Sequence, residues 1–301
     1  MVSQWLLWKR TLPAQRRLLL ESWQKRIGQI KENRPIYREV LDFYQKIREE
    51  QEGMRDSLRG EFILSEKAGK ARLIGGDLPL FRKEDFPVDL DACVHLFQSL
   101  CKIAEDANPF MAEQTRKIEE TIKRRKLNLK KLLRDGLNDQ KAARAAKRFK
   151  WDQKVFSFLI QNSVKPFVEA EMKHASKDLA QETWLKGNCP VCGSLPYLAL
   201  LGEEIGRRSL LCSFCGYQWR IERFFCPFCN NREQQSLHHF YAENEESYRI
   251  DTCEKCHQYI KTIDLRKTEV SDPSLEDLAT LHLDILASQK GYGRPVPTLL
   301  F

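Results

Sequence analysis

Eight of the ten cysteines in this chain fall into four Cys-x-x-Cys pairs: Cys189 and Cys192, Cys212 and Cys215, Cys226 and Cys229, Cys253 and Cys256. A two-residue gap lets one tight turn aim both sulfurs at a single ion, with backbone N–H groups turned toward the thiolates. Two such knuckles supply the four thiolates of a tetrahedral shell. Eight paired cysteines therefore imply two four-cysteine sites and two transition-metal ions. The gaps between successive pairs are 19, 10 and 23 residues. Consecutive pairing closes two hairpin-sized loops, which puts Cys189, Cys192, Cys212 and Cys215 at site 1 and Cys226, Cys229, Cys253 and Cys256 at site 2. An interleaved arrangement, first pair with third and second with fourth, also satisfies the spacing and stays open.

The residue after each second cysteine gives an independent check. A knuckle often needs positive φ there, which Gly allows freely and Asn or His tolerate best among the others. Gly193, Gly216, Asn230 and His257 hold the four positions. A four-thiolate tetrahedron suits zinc or a single iron, as in rubredoxin, and spacing does not choose between them. A closed shell has no open position, so Lewis-acid hydrolysis is not expected. Cys253-Glu-Lys-Cys256-His257 also spells the haem-attachment pattern. That chemistry normally follows export, and it would orphan Cys226 and Cys229. Four pairs are too many for a thioredoxin-type dithiol, and their regularity departs from the usual iron–sulfur cluster spacings. No Gly-rich phosphate loop or nucleophile–base set accompanies the cysteines. The chain is therefore not expected to be an enzyme, and it has no expected catalytic residue or small-molecule substrate. Cys93 and Cys101 stand eight apart, two helical turns, and read as buried small apolar residues.

Elements to position these sites follow from periodicity. The expected fold is an N-terminal all-helical domain (1–185), then two tandem rubredoxin-like or zinc-ribbon modules (186–268), then a C-terminal helix and tail packing back on the body (269–301). Pro13 opens a helix with Leu18, Ser22, Ile27 and Ile30 along one face. Pro35 opens another with Tyr37, Val40, Leu41, Tyr44 and Ile47 at spacings of three and four. Asp89 to Asn108 carries Leu90, Cys93, Val94, Phe97 and Cys101, and an apolar helix runs from Trp151 to about Met172. Tyr217–Phe225 and His238–Tyr241 read as strands. Ser271-Asp272-Pro273 caps the final helix, with Ser274 and Asp277 at capping-box spacing; Leu278, Leu281, His282 and Ile285 supply its apolar face, His282 packed or at the rim.

Charge is uneven. The chain carries +8 in all, but residues 123–150 hold twelve Lys or Arg against Asp135 and Asp139, so the surplus is concentrated there. Leu129, Leu133 and Leu137 give that segment an apolar side, the pattern of an amphipathic helix with a solvated face. A zinc-ribbon nucleic-acid binder using 123–150 is the rival functional reading. The basic run lies outside the ribbons, so nucleic acid is not the expected partner. No apolar run reaches membrane-spanning length and no signal peptide is legible, so no membrane insertion and a cytoplasmic location with reduced thiols are expected.

The motifs resemble the formate dehydrogenase accessory protein family (FdhE type). The likeness runs through Cys189-Pro-Val-Cys-Gly-Ser-Leu-Pro196, Arg208 and Leu210 before Cys212, and Trp219 and Arg223 before Cys226. It continues through Cys253, Cys256 and Tyr259-Ile-Lys261 to the tail Asp277–Leu281, Leu283-Asp284, Gly291-Tyr292 and Arg294. Leu78-Pro-Leu-Phe81 and the Pro35–Gln51 helix are fainter echoes. The family's usual closing Asn-Pro-Phe is replaced here by Pro295-Val-Pro297. The resemblance implies a cytoplasmic accessory factor with rubredoxin-like iron or zinc sites. Its implied partner is the immature catalytic subunit of a formate dehydrogenase. Arg208, Trp219 and Arg223 are candidates for joining ribbon to helical domain or for meeting that client.

Overall fold

The structure is a computed structural model and describes residues 14–56, 79–175, 184–202 and 206–296. Its first half is helical: α1 (Ala14–Asn33), α2 (Arg38–Asp56), α3 (Leu90–Glu105), α4 (Pro109–Arg124), α5 (Leu129–Gly136), α6 (Asp139–Phe149) and α7 (Gln153–Ala175). Polar residues start the middle helices by accepting hydrogen bonds from otherwise unpaired backbone amides. Asp89 accepts from Asp91 and Ala92, Asn108 from Met111, Asn128 from Lys131 and Asn138 from Lys141. The apolar faces meet in one core. Ile27 and Ile30, Leu41, Tyr44 and Ile47, and Cys93, Phe97 and Cys101 are all buried there, together with Phe156, Leu159 and Val164 of α7. Leu96 and Leu100 complete the buried face of α3. Burial pushes the Cys93 and Cys101 thiols up, which keeps them neutral and inert.

The basic stretch is not one helix. It covers the end of α4 and all of α5 and α6, with Lys126 and Lys150 at φ 49° and 57° where helices end. Leu133 and Leu137 are buried while Leu129 is half-buried, so the leucines do form the inner face. Some of the lysines are paired, Lys130 with Asp91 at 2.6 Å and Lys141 with Asp135 at 3.0 Å.

The second half is a six-stranded sheet: β1 (Pro196–Leu201), β2 (Arg208–Cys212), β3 (Gln218–Arg220), β4 (Leu237–Tyr241), β5 (Tyr248–Cys253) and β6 (Gln258–Asp264). The spatial order is β3-β2-β1-β6-β5-β4. β1 and β6 pair in parallel, Leu198 opposite Lys261 through Leu201 opposite Asp264, and the remaining neighbours are antiparallel. The two modules therefore share one sheet. Each repeats the same order of knuckle, two strands, knuckle and third strand.

The C-terminal helical segment is divided at Thr280 into α8 (Pro273–Ala279) and α9 (Leu281–Gln289). Asp272 is its N-cap, accepting from the Ser274 and Leu275 amides, and it also accepts from Trp23 Nε1 at 3.1 Å and the Tyr44 hydroxyl at 2.8 Å. One carboxylate thus starts α8 and fastens it to α1 and α2. Asp277, which the spacing assigned to a capping box, faces Lys261 and Arg294 instead. Among the described residues no helix is long and apolar enough to cross a membrane.

Candidate metal centre

Consecutive pairs come together, and the interleaved alternative is not what the fold builds. Cys189, Cys192, Cys212 and Cys215 form one cluster of sulfurs within 4.8 Å of one another, and Cys226, Cys229, Cys253 and Cys256 form a second. In the first, Cys192 lies 3.4 Å from Cys212 and 3.6 Å from Cys215, and Cys189 lies 3.7 Å from Cys215. In the second, Cys226 to Cys256 is 3.7 Å and Cys229 to Cys253 is 3.6 Å. A tetrahedron with metal–sulfur bonds of about 2.3 Å has edges of about 3.8 Å. Each cluster is therefore the right size for one ion.

The backbone explains how each knuckle is held. Gly193, Gly216, Asn230 and His257 have φ of 72°, 69°, 60° and 51°, as the residue types predict. That turn lets the Cys189 amide donate to the Ser194 carbonyl at 2.8 Å, Cys212 to Tyr217 at 2.9 Å and Cys226 to Asn231 at 2.8 Å. Amides then point at sulfur: Val191 at Cys189 and Phe214 at Cys212, both 3.4 Å. In the second cluster the Asn231 side-chain amide donates to Cys253 at 3.5 Å.

Burial pushes the Cys189 and Cys215 thiols well up, while Cys192 is held down because the neighbouring thiols, Cys189 first, donate to it. In the second cluster burial raises Cys226, and Cys256 to about 11. Cys253 falls to about 7, because donation from the Cys256 and Lys255 amides and from Asn231 outweighs its burial. Four sulfurs this close cannot all ionise without a cation between them, and a divalent zinc or iron supplies that charge. The donor set fits such an ion. With four sulfurs it supports structural fastening, one-electron transfer if the ion is iron, or thiolate exchange.

The two clusters sit in different surroundings. All four cysteines of the first are buried, and a segment of the helical half lies over them. The Leu80 and Phe81 amides donate to the carbonyls of Pro190 and Val191 at 3.0 and 2.8 Å, and Phe86 meets Phe214 edge-to-face at 5.5 Å. In the second cluster Cys229 is exposed and Cys256 is half-buried.

Family models described as "FdhE, central domain" and "FdhE, C-terminal domain" match residues 188–223 and 225–301. A protein of Aquifex aeolicus described as "Protein FdhE homolog" is 28% identical over 272 residues, covering 89% of this chain and 90% of that one. A Haemophilus influenzae protein of the same description is 35% identical over 111 residues, 36% of each chain. The chain is similar to FdhE proteins over most of its length, and both FdhE domain models match within residues 188–301. The crystal structure of the FdhE protein from Pseudomonas aeruginosa has the same fold, with a TM-score of 0.65 at 21% identity over 92% of this chain and 93% of that one.

Several FdhE motif residues have legible jobs. Trp219, fully buried, donates its indole N–H to the Lys186 carbonyl at 3.1 Å. Arg208 is buried and joins the first module to the second, whereas Arg223 is exposed on the linker between them. Lys261 is buried and pairs with Asp277 and Asp284 at 2.7 Å each, and Arg294 reaches the same two carboxylates at 2.7 and 3.0 Å. His282 is packed, its ring between the Tyr37 hydroxyl at 3.0 Å and Glu245 at 2.9 Å. The Pro79–Phe81 contact and Asn231 were not legible as site residues. The only sequence signal for the former was its faint family likeness.

Proposed function

We propose that this protein is a cytoplasmic accessory factor for formate dehydrogenase, binding the enzyme's immature catalytic subunit, with no turnover of its own. Similarity to FdhE proteins carries this reading. The two four-cysteine clusters support it, with Cys189, Cys192, Cys212 and Cys215 holding one zinc or iron and Cys226, Cys229, Cys253 and Cys256 the other. Four-thiolate shells fasten a fold or carry an electron, and neither role requires a substrate pocket. The split of the basic stretch over three helices, with Lys130 and Lys141 already paired, favours a solvated surface over a nucleic-acid interface.

The test combines genetics with biochemistry. Deleting the gene should abolish formate dehydrogenase activity without lowering the transcript of the catalytic subunit, and a tagged copy should recover that subunit before export. Normal activity in a deletion strain that has no second protein of this family overturns the proposal.

A further inference from the structure

The two clusters have the same ligands and the same backbone turns, yet opposite access. The first is enclosed on both knuckles: Cys189, Cys192, Cys212 and Cys215 are all buried. Pro79 to Phe86 closes over it through two backbone hydrogen bonds and the Phe86–Phe214 contact. The second is open. Cys229 is exposed and Cys256 half-buried, and Asn230, Glu254, Lys255 and His257 beside them are exposed as well. Cys226 and Cys253 line a concavity of about 120 Å³ that also takes in Phe224, Phe228, His239 and Arg249. Solvent and small molecules therefore reach the second cluster on its Cys229 and Cys256 side.

We infer that the second cluster is an exchange site, where the protein takes up and gives up its ion and where thiol-directed electrophiles react, while the first cluster keeps its ion as long as the fold persists. Metal–thiolate reactivity requires that an incoming group reach sulfur or metal, and buried sulfurs of this kind are inert. With an ion held by Cys226, Cys229, Cys253 and Cys256, an incoming soft ligand, a thiolate or a chelator, would take the place of the Cys229 or Cys256 thiolate. No electron is transferred, and the freed thiolate takes a proton from water. An alkylating agent such as iodoacetamide forms a sulfur–carbon bond with the same thiolate as the carbon–iodine bond breaks and iodide leaves. This inference concerns the clusters alone and stands apart from the formate dehydrogenase reading.

The test uses the full chain loaded with two zinc ions. Zinc release to a chelator, followed with a zinc-responsive dye, should be biphasic with equal amplitudes, the slow phase at least about ten-fold slower than the fast one. Iodoacetamide labelling mapped by peptide mass should mark Cys229 and Cys256 during the fast phase, with Cys189, Cys192, Cys212 and Cys215 unlabelled until the slow one. Cys229→Ser should remove the fast phase and leave one slowly released ion. Release of both ions at one rate overturns the inference. So does labelling of Cys192 or Cys212 as fast as Cys229, which is read on the unmutated protein and does not depend on how a variant folds.

Discussion

The Arg208 guanidinium, on β2 of the first module, donates to the carbonyl of Phe225 at 2.6 Å, one residue before the first ligand of the second cluster. Its other arm lies 3.3 Å from Asp251, two residues before Cys253. One side chain thus grips both Cys-bearing segments of the neighbouring module. Asp251 is gripped again by Arg249 at 2.8 Å and by the Thr262 hydroxyl at 2.7 Å. The parallel β1–β6 pairing fuses the modules through backbone, and Arg208 fuses them through charge.

Arg208→Ala should therefore damage the second centre from the first module. Asp251 keeps Arg249 and the Thr262 hydroxyl, so the loss falls on the Phe225 carbonyl, and leaving such a buried acceptor unpaired costs about 1–3 kcal/mol. The expected outcome is a chain that keeps the first ion, loses the second readily and unfolds at lower denaturant. Arg208→Lys should restore only part of this, because a single ammonium cannot span both partners. Metal content and denaturant unfolding of the two variants check it; equal retention of both ions in Arg208→Ala would refute it.

The turn positions test the knuckle geometry itself. His257 holds φ 51°, its carbonyl accepts from Gly293 at 2.8 Å, and its ring lies 6.2 Å from Tyr292. His257→Gly should be tolerated and keep two ions, while His257→Val should loosen the second centre by about 1–2 kcal/mol, the cost of a left-handed backbone for a branched residue. Thermal unfolding and metal content measure both. Loss of metal in the glycine variant would mean that the imidazole, not the backbone, is what the site needs.

The knuckles were legible because ligand chemistry imposes spacing and the turn imposes residue type at Gly193, Gly216, Asn230 and His257. The shared sheet was not. β1 reads Pro-Tyr-Leu-Ala-Leu-Leu and is buried along its whole length, as is β2, so neither alternates in the way that marks a strand. Gln218-Trp-Arg220 does carry the pattern, with Trp219 in and its neighbours out. α4 was equally faint: its buried positions are Thr115, Ile118 and Thr121, a stripe with one large apolar residue, although Asn108-Pro109 announces its start. The contact of Leu80 and Phe81 with the first knuckle has no local signature, since nothing in a short extended segment names its distant partner.

Acid should weaken the C-terminal attachment through Asp277. Burial alone would raise this carboxyl, but Arg294 and Lys261 overcome it and hold it below the usual range. A depressed folded value means the carboxylate contributes its stability fully above the unfolded value of about 3.9 and loses it as pH falls through the lower folded value. Denaturant unfolding should therefore show stability declining on acidification below about pH 4, and Asp277→Asn should be destabilised near neutrality yet show a flatter acid limb. An acid limb as steep as that of the unmutated protein would remove Asp277 from the account.

Loss of a ligand should have unequal reach. Cys192 lies in the core shared with the helical half, whereas Cys229 is exposed at the edge. Metal binding contributes folding free energy on the order of 10 kcal/mol to modules of this kind. Cys192→Ser should release the first ion, unpack Pro79–Phe86 and lower the unfolding midpoint of the helices as well. Cys229→Ser should release the second ion and leave helical unfolding nearly unchanged. Circular dichroism at helical wavelengths, with metal analysis, separates the two; matching midpoints would show that the first centre does not brace the helical half.

The cover over the first centre can be lifted from a single atom. Gly193 has φ 72°, and a Cβ placed there would come within 2.9 Å of the Pro79 ring. Gly216, the matching position on the other knuckle of the same cluster, has φ 69° and nothing within 4 Å. Alanine at either position carries the same backbone penalty of about 1–2 kcal/mol, so the two variants differ mainly in the clash with Pro79. Gly193→Ala should push Pro79–Phe86 away from the cluster, accelerate release of the slowly exchanging ion and open that segment to limited proteolysis. Gly216→Ala should show the backbone penalty in its unfolding midpoint but keep the segment protected. If both variants release the ion at the same rate, Pro79–Phe86 is not what shields the first centre, and its protection must come from the burial of the knuckles alone.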